Sequence, residues 1–225
     1  MRLDGVIFDL DGTLIDSIPD VLNAVNRLLI EEERCTITSK QIKTLVGKGA
    51  QFMLEGAFKI TGSPIPKNEV SEYVRRYLCI YEEFPANNTI IYSCVRDILD
   101  ELHSKKIKMG ICSNKPGRMV EIVLAELDLL KYFVSRIGGD NFPYPKPDGR
   151  HILHVQSLMG VGKRIVYVGD SMIDKMAASD ASIPVVLVNY GYEDDEMKNS
   201  YDEKVISSFC ELPKALSELS NNYHY

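Results

Sequence analysis

The stretch Val6-Ile7-Phe8-Asp9-Leu10-Asp11-Gly12-Thr13 constrains this chain more than any other. A short apolar run reads as a buried strand, and it stops at two carboxylates two residues apart. Alternation along a strand sends residues i and i+2 to the same side, so Asp9 and Asp11 start out facing the same way before the Gly12 turn rotates the second. Two like charges that close repel unless a cation, a shared proton or a ligand compensates them. The C-terminal end of a buried strand is also where open parallel sheets bind ligands. Taken alone, the stretch is equally a strand with an Asp-Gly turn whose acids solvate a loop. It is not a calcium loop: counting from Asp9, the fifth position is Thr13, the obligatory glycine is Leu14, and the closing glutamate is Asp20.

After Thr13 the periodicity becomes helical and stays so to about Phe84. Val21, Val25, Leu28 and Leu29 share a helix face, with Pro19 near its start. A short helix follows Thr38. Val46-Gly47-Lys48-Gly49-Ala50 leads into a third helix, and Thr61-Gly62-Ser63-Pro64 breaks the pattern before a fourth carrying Val70, Val74, Tyr77 and Tyr81. From about residue 90 strands and helices alternate. Helices are expected around Val95–Leu102, from Pro116, from Asp148 as cap, and over Met172–Ser179 and Lys214–Leu219. Strands are expected at Lys108–Cys112, Val134–Ile137, Ile165–Val168 and Val185–Val188, and Glu193–Glu196 reads as an acidic loop. This rhythm predicts an α/β fold with a doubly wound parallel sheet. The predicted domains are an α/β core of residues 1–15 and 86–225 and an inserted all-helical domain of residues 16–85.

In such a sheet the strand ends share one edge. That edge receives Asp9 and Asp11, then Ser113-Asn114-Lys115-Pro116, then Lys146 of Pro145-Lys146-Pro147, then Gly169-Asp170-Ser171 with Asp174. Each has an ordinary reading by itself: a cap hydroxyl, a rigid loop lysine, first-turn acids favoured by the helix dipole. Their coincidence on one edge suits phosphoryl transfer. Carboxylates can hold Mg²⁺, and Ser113, helix N–H groups and Lys146 can hold phosphate oxygens. One carboxylate can attack phosphorus while another handles the proton.

With these motifs the chain resembles the haloacid-dehalogenase-superfamily phosphatases over nearly its whole length, most closely the phosphoglycolate phosphatase branch. The resemblance implies Asp9 as nucleophile and Asp11 as general acid/base. It implies Ser113 and Lys146 on the phosphate, and Asp9, the Asp11 carbonyl and Asp170 on Mg²⁺, with Asp174 as ligand or support. The dehalogenases of that superfamily lack the second carboxylate, so Asp11 points to phosphoryl chemistry. Gly12, Thr13, Asn114 and Lys115 are the expected substrate-side neighbours. The helical insert looks like the family's small cap, which closes over substrate, and residues 1–15 and 86–225 would then be the catalytic core. In the cap, Lys48 is the expected contact for a substrate carboxylate or phosphate, against an ordinary exposed loop lysine. One departure stands out: Ile91-Tyr92-Ser93-Cys94 occupies the place where branch members often carry Pro-Tyr-Pro-Gly. The resemblance implies 2-phosphoglycolate as first substrate, with sugar phosphates, nucleotides, a phosphomutase reaction or a non-enzymatic metal- and phosphate-binding module as alternatives.

Other chemistries are poorly served. Cys112 to Arg118 has the C-x₅-R spacing of cysteine phosphatases, but Pro116 removes a loop N–H and Ile111 and Met119 replace the usual His and hydroxyl. Gly160-Val161-Gly162-Lys163-Arg164 lacks the first Walker glycine and the Ser/Thr. His151 and His154 lack an obvious carboxylate partner, which favours packing or surface roles. A net charge of −6 without a basic stripe argues against nucleic acid. The start, Met1-Arg2-Leu3-Asp4, shows no leader, and no apolar run approaches membrane length. Five cysteines without a zinc or C-x-x-C pattern fit a reducing cytoplasm. The expected protein is therefore cytoplasmic, a monomer or homodimer acting on a small molecule, with neither nucleic acid nor membrane as partner.

Overall fold

The computed structural model describes residues 3–193 and 203–221. Its strands are β1 (Gly5–Phe8), β2 (Ile15–Asp16), β3 (Ile90–Ile91), β4 (Lys108–Cys112), β5 (Ser135–Ile137), β6 (Ile165–Gly169), β7 (Val185–Val188) and β8 (Lys204–Ile206). Its helices are α1 (Ile18–Glu31), α2 (Ser39–Lys43), α3 (Ala50–Ile60), α4 (Val70–Glu83), α5 (Val95–Ser104), α6 (Gly117–Glu126), α7 (Arg150–Met159), α8 (Met172–Asp180) and α9 (Leu212–Asn221). The main sheet runs β5-β4-β1-β6-β7-β8 with every pairing parallel. The chain builds outward from β1 on one side as β4 and β5, then returns to the other side as β6, β7 and β8. The strand order thus reverses at β1, which opens a crevice at its C-terminal end.

The sheet is buried on both faces, so its strands are apolar throughout rather than alternating. Val6, Phe8, Val166, Val168, Val186 and Val188 join one cluster with Leu99 of α5, Val120 of α6 and Leu216 of α9. Ile7, Cys112, Ile165, Tyr167 and Leu187 join another, with Ile152, Val155 and Met159 of α7 and Ala177 and Ala178 of α8. Each large side chain buried in this way contributes about 1.5–3 kcal/mol. In β6, Tyr167 lies between Ile7 and Val185, so its ring belongs to the α7–α8 face.

Helices α1–α4 fill the interval between the short strands β2 and β3, which pair antiparallel where the chain leaves and returns. Thr38 starts α2 with a capping box, accepting from the Gln41 N–H while the Gln41 side chain accepts from the Thr38 N–H. Asp20, buried in the first turn of α1, accepts from Asn88 N (2.9 Å), Asn88 Nδ2 (3.0 Å) and Thr89 Oγ1 (2.7 Å), tying the outgoing chain to the returning one.

The structure differs from the sequence reading in several places. Strands β2, β3 and β8 were not anticipated, because two or three residues carry too little periodicity to register. β5 starts at Ser135 rather than Val134, which is exposed. Gly149 rather than Asp148 precedes α7, although Asp148 Oδ1 accepts from the Arg150 N–H at 3.0 Å. The unpatterned cysteines are also not all free: Cys94, before α5, is bonded to Cys210, before α9, across 116 residues. Of the expected acidic loop, Asp194, Asp195 and Glu196 lie outside the described residues.

Candidate active site

The parallel strand ends bring Asp9, Asp11, Ser113, Asn114, Lys115, Lys146, Asp170 and Asp174 to one edge, and each of these residues is less than a tenth exposed. Asp9 and Asp11 follow β1, and Ser113 to Lys115 follow β4, its neighbour on one side. Asp170 follows β6, its neighbour on the other side, and Asp174 lies in the first turn of α8. Lys146 enters from the loop before α7, its bond to Pro147 cis. Gly12 makes the close approach of the two strand ends possible. Its φ is +84°, and a Cβ there would meet Asp170 Oδ2 at 2.3 Å.

Lys146 is the electrostatic centre. Its Nζ lies 3.0 Å from Asp9 Oδ1 and donates to Asp174 Oδ1 at 2.7 Å and to the Tyr167 hydroxyl at 2.8 Å. Burial pushes the Asp9 carboxyl up to about 6; the Lys146 ammonium opposes this, while Asp174 and Asp11 add to it. Asp170 is also pushed up, by burial first and then by the charges of Asp174 and Asp9. For Asp174 burial acts upward but is outweighed by Lys146 and by hydrogen bonds from Lys146, Ser171 and Tyr167, so its carboxyl is held low. Asp174 Oδ2 accepts from Ser171 Oγ (2.7 Å) and from the N–H groups of Ser171 (3.1 Å) and Asp170 (3.2 Å).

Asp11 is occupied differently. Lys115 Nζ lies 3.1 Å and 3.2 Å from its two oxygens and 3.0 Å from the Tyr81 hydroxyl on α4. The Ser17 hydroxyl, at the start of α1, donates to Asp11 Oδ1 at 2.5 Å. Asn114 bridges three segments: its amide donates to Gly47 O (3.0 Å) and Lys146 O (2.9 Å), and its oxygen accepts from the Lys146 N–H (3.0 Å). Thr13 Oγ1 donates to Asp170 Oδ1 at 3.4 Å, and Ser113 Oγ accepts from the Lys115 N–H at 3.3 Å.

A cavity of about 420 Å³ lies between these strand ends and the α2–α3 loop, with Asp9, Asp11 and Asp170 on one wall and Lys43, Thr44, Gly47 and Lys48 on the other. Lys48, whose ammonium sits 4.8 Å from the centre of the Phe52 ring, is therefore at the cavity. Arg118 is not: its guanidinium pairs with Glu82 at 2.5 Å. Cys112 is fully buried in β4, and burial drives its thiol far above the usual range, which removes it as a thiolate nucleophile. The ring of Phe142 stacks on those of His151 and His154.

The site suits a divalent cation. Oxygens of Asp9, Asp170 and Asp174 lie within 4.8 Å of one another, and the buried Asp9 Oδ1, beside the Lys146 ammonium, has no further hydrogen-bond partner among the described residues. An ion among these carboxyls would relieve the burial and mutual repulsion that push Asp9 and Asp170 up, and carboxylate oxygens are the ligand type that Mg²⁺ prefers. Asp174 accepts from Lys146 and Tyr167 on one oxygen and from Ser171 and the Asp170 N–H on the other. Each Asp170 oxygen accepts a single bond, from Thr13 or from the Tyr192 N–H, so Asp9 and Asp170 offer the freer ligand atoms.

Sequence reasoning missed four residues. Tyr167 looked like strand core, and Tyr81 like one more apolar position on a helix face. Lys43 had no glycine bracket to mark it. Tyr192, whose N–H donates to Asp170 Oδ2 at 2.8 Å and whose hydroxyl lies 3.1 Å from Asp16 Oδ1, sits in a loop without a motif.

Comparison with known proteins adds a family. Residues 6–188 match the family described as haloacid dehalogenase-like hydrolase. A phosphoglycolate phosphatase of Caulobacter vibrioides is 33% identical over 93% of this chain and 89% of its own length. One from Agrobacterium fabrum is 32% identical over 94% and 91%. Among solved structures, a predicted phosphoglycolate phosphatase from Haemophilus somnus superposes with a TM-score of 0.85 at 26% identity, covering 96% of this chain and 98% of that one.

Proposed function

The chain belongs to the haloacid dehalogenase-like hydrolases, and from that premise we propose that it is a Mg²⁺-dependent phosphoric monoester hydrolase whose substrate is a small phosphorylated acid, 2-phosphoglycolate first. The observation that carries this reading is the pair of carboxylates after β1, each held by its own buried lysine: Lys146 beside Asp9 and Lys115 on Asp11. Relatives sharing about a third of the sequence are named phosphoglycolate phosphatases, which supports the substrate.

In this reading Asp9 attacks phosphorus and becomes an aspartyl-phosphate as the ester oxygen departs. Asp11 gives that oxygen its proton, then takes one from the water that hydrolyses the intermediate. Asp9, Asp170 and the Asp11 carbonyl would hold Mg²⁺, with Asp174 supporting. The ion supplies charge neutralisation for the phosphoryl group and Asp9. Lys146 and Ser113 hold phosphate oxygens. Residues 16–85 act as a cap on the core formed by residues 1–15 and 86–225, closing the cavity from the side that bears Lys43 and Lys48. Those two ammonium groups match a substrate with a second anionic group. Gly12, Thr13, Asn114 and Lys115 frame the site, Lys115 through its hold on Asp11.

The test is phosphate release from a panel of monoesters containing 2-phosphoglycolate, sugar phosphates and nucleotides, with Mg²⁺ and again with EDTA. The expected result is Mg²⁺-dependent release biased to 2-phosphoglycolate. Release biased to another ester would overturn the substrate alone. Absence of release from every ester would overturn the hydrolase reading.

A further inference from the structure

We propose that Tyr167 is a positioning residue for phosphoryl transfer, its hydroxyl fixing the Lys146 ammonium beside Asp9. The inference rests on the phosphatase reading and adds to it a strand residue that belongs to none of the motifs in the sequence, two positions before Gly169-Asp170-Ser171. Tyr167 sits in the middle of β6, paired with Ile7 of β1 and Val185 of β7, with its side chain fully buried. Its ring packs in the apolar layer under α7 and α8. Only the hydroxyl leaves that layer, and it emerges at three polar atoms: Lys146 Nζ (2.8 Å), Asp174 Oδ1 (2.9 Å) and the Cys112 carbonyl (3.1 Å).

A phenol has one proton to give and lone pairs to accept with. The Lys146 ammonium has no acceptor capacity, so Tyr167 must accept from it and must give its own proton to Asp174 or to the Cys112 carbonyl. Lys146 is thereby held from below by two acceptors, Tyr167 and Asp174, and its remaining side faces Asp9 Oδ1 at 3.0 Å. That oxygen has no other hydrogen-bond partner among the described residues. Without the hydroxyl, the ammonium keeps Asp174 but loses one of two anchors, and a four-carbon stem can then swing toward Asp174 and away from Asp9. A lysine that must stay beside a nucleophile needs both anchors, because a small misplacement of a catalytic group is costly. A phenylalanine at 167 would fill the same apolar space, so packing alone does not call for the hydroxyl.

The experiment compares the wild type, Y167F, K146M and the double variant in kcat and KM for the best ester of the panel, with thermal unfolding as a check on folding. Y167F is expected to lower kcat about tenfold, as loss of a hydrogen bond to a charged group does, with KM within about twofold because cap contacts to the substrate are untouched. In the K146M background the same change should cost less than about twofold, since its target is gone. A Y167F kcat equal to the wild type, or the same tenfold loss with and without Lys146, would overturn the proposal. Should K146M not fold, ¹⁵Nζ-lysine spectra of the other two proteins give the answer. A slowly exchanging buried ammonium resonance in the wild type should broaden into water exchange in Y167F, and its persistence unchanged would refute the role. A wild type that releases no phosphate defeats the hydrolase reading, whereas the ammonium spectra still judge Tyr167.

Discussion

Replacing His151 by phenylalanine should make the protein more resistant to mild acid. His151 lies in α7, fully buried, its ring parallel to that of Phe142. Burial pushes its imidazole down to about 4; the Lys146 ammonium and the His154 ring act in the same direction, and the Gly138 backbone and then Asp148 oppose them. In the unfolded chain the same imidazole titrates near the usual value of about 6.5. Between those values the unfolded state binds a proton that the folded state refuses. The stability tied to a neutral His151 is therefore fully present above pH ~6.5 and is lost as pH falls toward 4. At about 1.36 kcal/mol per pH unit the loss reaches about 3 kcal/mol, and about 2 kcal/mol of it has appeared by pH 5. Phenylalanine keeps the stacking on Phe142 and binds no proton. Urea unfolding at pH 7.5 and pH 5 supplies the comparison, and the wild type should lose about 2 kcal/mol more than H151F across that interval. Equal losses in the two proteins would refute the claim that this imidazole is held neutral by burial.

Three further outcomes are expected. Asp9→Asn should leave the fold intact and abolish phosphate release, and retained turnover would remove Asp9 as nucleophile. Lys48→Ala should raise KM for an acidic ester several-fold while changing KM for a neutral aryl phosphate little; parallel changes would take Lys48 out of substrate recognition. Reduction of the Cys94–Cys210 bond should lower stability by about 2–5 kcal/mol, because it releases a long loop in the unfolded chain. Thiol titration of the denatured protein should then rise from the three of Cys35, Cys79 and Cys112 to five, whereas five without reductant would contradict the bond.

The sheet was legible because a strand buried on both faces is apolar along its whole length, and because the polar residues that follow β1, β4 and β6, with Lys146 in the loop before α7, are of the types one reaction needs. Asp9, Asp11, Ser113, Lys146, Asp170 and Asp174 came from that logic, and the structure brings them together. The pairings did not follow. Nothing in the sequence says that Lys115 is engaged by Asp11 and Tyr81 instead of facing the cavity openly, since that contact depends on how α4 lies against the strand ends. Tyr167 was hidden for the opposite reason: its ring obeys the core pattern so well that its hydroxyl carries no sequence signal. The bond between Cys94 and Cys210 joins segments 116 residues apart, beyond the reach of any spacing rule. The strands β2 and β3 depend on each other and are visible only once the helices between them have folded back.

The Asn114 side chain has a consequence for how freely this chain can vary. Its oxygen must receive the Lys146 N–H while its nitrogen serves two carbonyls, Gly47 O and Lys146 O. Aspartate matches its outline and reverses half its polarity, leucine keeps its bulk and offers nothing, and glutamine carries the right groups one methylene too far. Position 114 is thus restricted by the order of donor and acceptor rather than by size. A library randomised there and selected for growth on phosphate released by this protein should return asparagine almost alone, while a library at the exposed Arg118 nearby should return many residues.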